Sequence, residues 1–363
     1  MAVLLLALGG CAVTPPPAPT PDVEPPEPTP SATATPTPTP EPPQDGVFPT
    51  RIFADDSPFY QTLPDDTPVA EYSDELISGV VRMTQEYYGS PSNPTVDMNY
   101  HRYALPMYLA TNDDPIAEFT GYNCQDKSDG WDDTLIGEHL ADVHIPEGAV
   151  PDDSTDRSMV IYNVDTDRLT ETWVTAKEDD GTWSACWGGS IEDASTSLGQ
   201  FDRPYGVAAA GVSYAAFQIR PEELQRGYID HVIGIALPEV KADVYSWPAN
   251  RTDGTVHGLA IAEGQLLRLP ADLDLDDYNL SPLARTIARA AQEYGIMVVD
   301  VAGSVTFMAQ HEISAAPGAY DDLFRDSSPR SELAGQEGED PFPIDQLEVL
   351  PRDYRAPGTR EDD

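Results

Sequence analysis

Short apolar stretches, some alternating with polar residues and some continuous, follow one another through most of the chain and predict β-strands. They are rich in β-branched and aromatic residues and are separated by polar turns such as DTDR and DDG. The predicted strands are SMVIYNV (158–164), TETWVTAKE (170–178), TWSACWGG (182–189), YIDHVIGIALPEV (228–240), HGLAIAE (257–263), GIMVVDVAG (295–303), SVTFMAQHE (304–312) and FPIDQLEVLP (342–351). This pattern predicts a mainly β protein.

Only a few segments have the spacing of amphipathic helices. In SDELISGVVRMTQEYYG (73–89) the predicted N-cap is Ser73. In SPLARTIARAAQEYG (281–295), Ser281 is the predicted cap and proline occupies the first helical position. A short helical turn is expected in 220–227. Many strands with two or three short helices predict a β-sandwich or jelly-roll-like fold.

The first residues, MAVLLLALGGC, predict an export signal. Their apolar run is too short to span a bilayer and suits the core of a signal peptide. The Leu-Gly-Gly that precedes Cys11 resembles the lipobox of bacterial lipoproteins. The resemblance implies a signal peptide at 1–10 and a lipid on Cys11, which would hold the protein on the extracellular face of a bacterial cell membrane. A plain secretory signal with an incidental cysteine is the alternative.

Proline and threonine dominate the residues that follow, and they predict an extended stalk. Such density of proline fixes φ and removes N–H donors, so we expect residues 11–46 to form a disordered, polyproline-like spacer after the lipidated cysteine. Residues 47–355 show no convincing linker and predict a single globular β-rich domain. Residues 356–363 predict a disordered acidic tail.

The charge of the chain limits its partners. With 20 Lys and Arg against 63 Asp and Glu, the net charge is −43, which disfavours nucleic acid. ADLDLDDYNL (271–280) places Asp272, Asp274 and Asp276 at alternate positions, as at the start of a calcium loop, but it lacks the glycine and glutamate of an EF-hand. We therefore predict no cofactor and a solvated acidic loop, with a calcium site of another kind as the alternative. We expect a monomer.

The three cysteines have one simple explanation. If Cys11 carries a lipid, Cys124 and Cys186 remain as a pair in an oxidising compartment, and we expect them to form a disulfide. Neither has a second thiol or a histidine cluster nearby in the sequence, so a zinc site or thiol catalysis has little support.

Several phrases in the globular region carry a family resemblance. The chain contains IDHVIGIALPE, WPANRTDG and LSPLARTIARAAQEYG. These phrases resemble a group of secreted or lipid-anchored actinobacterial β-rich proteins. The resemblance implies an extracellular location and an intact single domain, and it carries no mechanism.

Two segments supply the candidate catalytic residues. Asp230 and His231 open a predicted strand on which His231 shares the more apolar face, so it is either a buried, hydrogen-bonded histidine or part of a cleft floor. YSWPANRTDG (245–254) adds Arg251 and Asp253 beside Trp247, whose ring could stack on a sugar. Two carboxylates facing one cleft would suit a glycosidase, and Asp230 with Asp253 is the predicted pair. Packing in the protein core is the alternative role for each residue.

Two further segments supply candidate substrate-binding residues. TWSACWGG offers Trp183 and Trp187 as a predicted aromatic pair on one strand face. MNYHRYALPMY (98–108) offers His101 and Arg102 together with Tyr100 and Tyr103, and a Tyr or His base with an Arg that neutralises a carboxylate would suit a polysaccharide lyase. The sequence lacks the G-x-S-x-G, H-E-x-x-H, P-loop and dinucleotide-binding motifs, which disfavours serine hydrolase, zinc protease and nucleotide-dependent functions.

These observations together predict a lipid-anchored cell-envelope protein that binds or cleaves extracellular polysaccharide. The sequence is compatible with an enzyme and with a non-catalytic protein. A non-catalytic structural or interaction lipoprotein of the cell envelope is the alternative. An enzyme requires Asp230, His231, Arg251 and Asp253 to meet in one pocket, whereas a binding protein requires an aromatic platform that includes Trp247.

Overall fold

The computed structural model describes residues 47–126, 132–325 and 328–357. Their regular structure consists of many short strands and few helices. The mainly β prediction is therefore confirmed. The fifteen strands in these residues are β1 Asp97–Asn99, β2 Met107–Ala110, β3 Ile116–Ala117, β4 Phe119–Gly121, β5 Val143–His144, β6 Met159–Asn163, β7 Arg168–Trp173, β8 Ala176–Lys177, β9 Trp183–Ala185, β10 Trp187–Ile191, β11 Ile233–Leu237, β12 Leu266–Arg268, β13 Ile296–Val301, β14 Thr306–Met308 and β15 Glu348–Val349.

The helices are short, as predicted, but the described residues form five α-helices where two or three were expected. The α-helices are α1 Ser73–Glu86, α2 Tyr214–Phe217, α3 Pro221–Arg226, α4 Pro282–Glu293 and α5 Pro329–Ala334. A π-helical turn spans Leu135–His139, and 3-10 turns span Ala194–Thr196, Leu275–Asp277, Glu312–Ser314 and Ile344–Gln346. Within the described residues, no helix has the length and apolar character needed to cross a bilayer.

The described residues belong to one compact unit, Pro42–Asp363. The predicted signal peptide (1–10) and stalk (11–46) lie outside the described residues. So do the last six residues of the predicted tail, 358–363.

Two larger sheets dominate the fold, and both mix parallel and antiparallel neighbours. The first has the order β1-β14-β11-β13-β12-β15, with β1/β14 and β11/β13 parallel. The second has the order β10-β7-β6-β2, with β2/β6 parallel. Smaller sheets pair β3 with β5 and order β4-β9-β8. A jelly roll contains antiparallel neighbours throughout, so these parallel pairs leave that arrangement unconfirmed.

Alternating side chains divide the apolar core into layers. On β11, Ile233 and Ile235 join the cluster that contains residues of α1 and α4, whereas Ala236 joins a middle cluster. On β6, Val160 joins the middle cluster and Ile161 joins a third cluster beside the small sheets. The middle cluster is thus built from both larger sheets, because successive strand residues point to opposite faces.

Local signals were right for α4 and only partly right elsewhere. Ser281 caps α4 by accepting the N–H of Ala284 at 3.1 Å, as predicted. Ser73 does not cap α1. The helix begins at Ser73 itself, and the Ser73 hydroxyl accepts the N–H of Val349. The predicted strand 228–240 shortens to β11, and 257–263 forms only an isolated bridge at Glu263.

Candidate functional site

The two larger sheets and their loops surround a cavity of about 540 Å³, large enough for a small ligand. Its walls come from segments far apart in the chain, including β7, β10 and the end of β13. The lining residues are Tyr103, Leu105, Gln125, Asp152, Asp156, Ser158, Trp173, Trp187, Pro204, Val207, Ala209, Tyr214, Arg251, Thr252, Asp253, Asp300 and Val301. Aromatic rings and carboxyl groups therefore meet in one concave site.

Two tryptophans form the aromatic wall of the cavity. Trp173 ends β7 and Trp187 begins β10, and the two residues are direct partners in this antiparallel pair. Both side chains are half-buried. The ring of Trp187 also stacks on Tyr205, with centroids 5.6 Å apart. Because opposed residues of an antiparallel pair project on the same side of a sheet, the two indoles present neighbouring apolar surface to the cavity.

An acidic loop lies against Trp173. Val174, the next residue, has a φ of +50°, which is rare for a β-branched side chain, and its N–H donates to the Asp156 carbonyl at 2.7 Å. Burial raises the pKa of the Asp156 carboxyl, a hydrogen bond from Trp173 opposes the rise, and the charge of Asp152 adds to it. Asp152 itself accepts the N–H groups of Ser154 and Ser158. The loop thus places two carboxyl groups beside the indole.

Asp300 lies where the apolar strand β13 reaches the cavity. Its Oδ1 accepts the N–H of Val301 at 2.9 Å, and its Oδ2 accepts the N–H of Ala209 and the hydroxyl of Tyr214, each at 3.3 Å. Burial and the nearby Asp253 raise the pKa of Asp300 to about 7, although the backbone N–H groups favour its charged form. A carboxyl group that gains and loses a proton near neutral pH can act as a general acid.

Glu171 is buried behind the cavity wall. Its Oε1 accepts the Ser213 hydroxyl at 2.8 Å and the Tyr214 N–H at 2.7 Å. Burial raises the pKa of Glu171 to about 7, and these hydrogen bonds limit the rise. Glu171 therefore positions Tyr214, which in turn contacts Asp300.

Glu263 is a second buried carboxyl next to the cavity, and it is fully buried. Neither of its carboxyl oxygens forms a hydrogen bond of good geometry among the described residues, although Asp253 and Thr252 lie close enough to influence its pKa. Burial, together with the charges of Asp300 and Asp253, raises the pKa of Glu263 to about 10. The side chain is therefore protonated and neutral at pH 7.

Arg251 lines the cavity but is largely engaged with the protein. Its Nη1 donates to the carbonyl of Pro204 at 2.7 Å, and its Nη2 donates to the carbonyls of Gly206 and Ala208 at 2.8 and 2.6 Å. These bonds fix the 204–208 loop as a cavity wall. Burial lowers the pKa of Arg251, and the charges of Asp300, Asp253 and other nearby carboxyl groups oppose this shift.

Three of the residues predicted as a site do meet in this cavity. Arg251, Asp253 and Trp187 all line it. Asp253 is exposed, whereas Arg251 and Trp187 are half-buried. The predicted pairing of Trp187 with Trp183 is wrong, because Cys186 separates β9 from β10 and the two strands belong to different sheets. Trp183 is buried beside Phe119.

The Asp-His pair lies away from the cavity lining. His231 has no exposed surface and hydrogen-bonds through Nε2 to Glu223 Oε2 at 3.1 Å and through Nδ1 to the Val232 carbonyl at 2.8 Å. Asp230 pairs with Arg226 at 2.9 Å and with Arg51 at 3.3 Å. The predicted meeting of Asp230 and His231 with Arg251 and Asp253 is therefore absent.

The other predicted binding residues also lie outside the cavity lining. Trp247 is half-buried, and its backbone N–H donates to Asp353 Oδ1 at 2.7 Å. His101 is exposed and pairs with Glu312. Arg102 lies over the ring of Tyr103, 5.8 Å from its centroid. Tyr103, which belongs to the same predicted segment, does line the cavity.

The predicted acidic loop forms local contacts. Asp274 Oδ1 accepts the N–H of Asp276, and Asp276 pairs with Arg285 at 3.0 Å. In the part of the chain that the structure describes, no group of three or more His, Cys, Asp or Glu side chains could hold a metal ion.

The predicted disulfide is confirmed and lies beside the cavity. Cys124 and Cys186 are bonded, with Cα atoms 5.6 Å apart. Each is followed by a lining residue, Gln125 and Trp187 respectively, and the Cys186 N–H donates to the Trp173 carbonyl at 2.9 Å. The bond thus joins the loop that carries Gln125 to the strands that carry both tryptophans.

Sequence reasoning missed Trp173, Asp156 and Asp300. A signal for Asp300 is visible, since a single carboxylate interrupts the apolar run IMVVDV. Trp173 could be identified as a site residue only if it were known that its strand pairs with β10.

Comparisons with known proteins gave no relative: no family model, no curated protein and no solved structure matches the chain. The resemblance to secreted actinobacterial proteins therefore stays a prediction.

Proposed function

We propose that the cavity binds a polysaccharide and hydrolyses one of its glycosidic bonds. The observation that carries this proposal is the joining, in one cavity, of the Trp173–Trp187 wall with the Asp300 and Asp253 carboxyl groups. Flat apolar rings suit the faces of sugars, and glycoside hydrolysis needs two carboxyl groups with different protonation states.

In the proposed reaction, Asp300 is the general acid. The bond between the anomeric carbon and the bridging oxygen breaks, and that oxygen takes the Asp300 proton. Asp253 is the second carboxylate, and water supplies a hydroxyl group to the anomeric carbon and a proton to a carboxylate. Tyr214 and the Ala209 N–H hold Asp300 in place.

Reducing ends released from a panel of cell-wall and plant polysaccharides test this function. Full-length protein should release them, whereas Asp300→Asn and Asp253→Asn should each lower the rate by about 10²-fold or more. The matched control is Asp243→Asn, which changes a carboxyl group that is 86% exposed and does not line the cavity. No release from any glycan, with binding retained, would leave a non-catalytic glycan-binding protein.

The place of action is a further part of the proposal. The Leu-Gly-Gly-Cys sequence supports a lipid on Cys11, and the proline-rich residues after it support a spacer between the membrane and the domain. Cys11→Ser should move the protein from the membrane fraction to the soluble fraction. Recovery of wild-type protein in the soluble fraction would contradict the anchor.

We also propose that the two larger sheets form a β-sandwich core. Their shared middle cluster of apolar residues supports this description. The angle between the two sheets in an experimental structure tests it.

A further inference from the structure

The charge of the cavity lining is strongly one-sided. Four carboxyl side chains line it, from Asp152, Asp156, Asp253 and Asp300, and Arg251 is the one Lys or Arg among the described lining residues. Asp300 is neutral below its pKa of about 7, but a ligand that carries carboxylates would still meet the carboxyl groups of Asp152, Asp156 and Asp253, and like charges that face each other disfavour binding. The lining therefore disfavours uronate-rich glycans.

Arg251 does not compensate, because its fork is turned to the protein backbone. Its two terminal nitrogens already donate to three carbonyl oxygens of the 204–208 loop, at 2.6 to 2.8 Å. Bidentate recognition of a carboxylate needs two parallel N–H groups that are free to face it. Arg251 thus acts as a brace for the cavity wall.

The aromatic wall complements this acidic lining. A cation is attracted to the face of an indole, and a sugar ring can pack on the same face through its C–H groups. Tyr103 adds a ring that is 44% exposed at the cavity. Carboxylates beside aromatic faces suit a ligand that combines a flat apolar ring face with a positive charge.

We infer that the cavity selects glycans whose sugar units carry protonated amines, such as de-N-acetylated hexosamines, over their N-acetylated and uronate counterparts. This inference rests on the proposed function and names the substrate class of the same site. The ammonium group would face the Asp253 side of the cavity, while the sugar ring lies on the tryptophan wall.

Binding of matched oligosaccharides to the full chain, at a mildly acidic pH that keeps the amine protonated, tests the inference. The three probes are a glucosamine oligomer, its N-acetylated form and an oligouronide of equal length. The glucosamine oligomer should bind at least tenfold more tightly than the N-acetylated form, which corresponds to about 1.4 kcal/mol, and the oligouronide most weakly. The preference should shrink in high salt, because screening weakens charge pairing.

The net charge of −43 requires a control for unspecific attraction. An oligolysine of the same charge provides it. Trp187→Ala should weaken binding of the glucosamine oligomer more than binding of oligolysine, because only the sugar packs its ring face on the indole. Asp253→Asn should reduce the amine preference about tenfold, whereas Asp243→Asn should not. Oligolysine binding as tightly as the glucosamine oligomer would overturn the inference.

The remaining outcomes separate the inference from the function on which it rests. Equal or tighter binding of the N-acetylated oligomer or of the oligouronide would overturn the inference and leave the polysaccharide proposal standing. Failure of all three oligosaccharides to bind, with no hydrolysis, would overturn both.

Discussion

Trp173 and Trp187 are direct partners across the antiparallel strands β7 and β10, and both line the cavity. Their register decides this arrangement, since a shift of one residue would turn one of the indoles to the opposite face of the sheet. The aromatic wall is therefore a product of strand pairing rather than of either tryptophan alone.

Truncation of this wall should weaken glycan binding while the fold is kept. We expect Trp187→Ala and Trp173→Ala each to raise Kd by about tenfold, because one large aromatic contact contributes on the order of 1 kcal/mol beyond its buried area. Trp247→Ala is the matched control, since Trp247 lies outside the cavity lining. Calorimetric titration measures the change, and an equal loss in Trp247→Ala would contradict the assignment of the wall.

The role of Asp300 predicts the pH dependence of hydrolysis. The pKa of this carboxyl is raised to about 7 by burial and by Asp253, so its protonated form is lost as pH rises through that value. A general acid must be protonated, so kcat/KM should fall on the alkaline side with a midpoint near 7. Asp300→Glu should recover part of the rate that Asp300→Asn loses. A profile that is flat through neutral pH would exclude Asp300 as the acid.

Glu263 should make the protein less stable as pH rises. Its pKa is raised from 4.5 to about 10 by burial and by Asp300 and Asp253, so the folded state holds a proton that the unfolded state has lost. Between pH 4.5 and pH 10 the free energy of unfolding therefore falls as pH rises. At pH 7 the stability lost through Glu263 is at most about 3 kcal/mol. Glu263→Gln removes the titration and should raise stability at neutral pH.

Urea unfolding at several pH values measures this effect. Glu118→Gln is the control, because Glu118 is exposed. The stabilisation by Glu263→Gln should vanish near pH 4.5, where the unfolded carboxyl also binds a proton. Stabilisation that is the same at all pH values would point to packing rather than to protonation.

Sequence patterns predicted what depends on neighbours in the chain. The cap of α4 at Ser281 rests on a contact three residues away, and the β class rests on local residue preferences. Of the four residues predicted as catalytic, two line the cavity and two do not, because closeness in the sequence does not decide which residues meet in the fold. Arg251 and Asp253 are close in sequence and both reach the cavity, whereas Asp230 and His231 are adjacent and neither does.

The positions of Asp230, His231 and Asp300 depend on contacts with residues far away in the chain. Asp230 turns to Arg51, 179 residues away, and His231 turns to Glu223 on α3. Asp300 accepts the N–H of Ala209, 91 residues away, from a position at the end of β13 that depends on how β13 pairs in its sheet. No local pattern encodes these meetings, because they follow from strand order and loop packing. The interrupted run IMVVDV was the one local signal of Asp300.

The buried pair of His231 and Glu223 should contribute to the stability of the fold and not to glycan binding. The ring hydrogen-bonds the Val232 carbonyl through Nδ1 and Glu223 Oε2 through Nε2, and Arg220 Nη1 lies 3.4 Å from the same Nε2. Burial alone would raise the pKa of Glu223, but His231 and Arg220 lower it overall. Glu223→Gln leaves the buried guanidinium of Arg220 without the nearby carboxylate charge and should reduce the free energy of unfolding by about 3–5 kcal/mol.

The neighbouring Glu222→Gln provides the control, since Glu222 is only partly buried. Because the pKa of Glu223 is lowered, its stabilising effect exists above pH 4.5 and disappears as pH falls through the folded-state value. Folded Glu223→Gln should bind glycans with unchanged Kd. A large loss of binding at full folding would reassign this cluster to the functional site.

The disulfide should affect both stability and binding. It closes a loop between residues 62 positions apart, which stabilises the fold by about 4 kcal/mol when the entropy of the unfolded chain is considered. It also ties Gln125 to the strands of Trp173 and Trp187, so Cys124→Ser with Cys186→Ser should lower the melting temperature and raise Kd for the glycan. Reducing agent should reproduce both effects in the wild-type protein and have no effect in the double variant. Lower stability with unchanged Kd below the melting transition would show that β7 and β10 hold the aromatic wall without help from the disulfide.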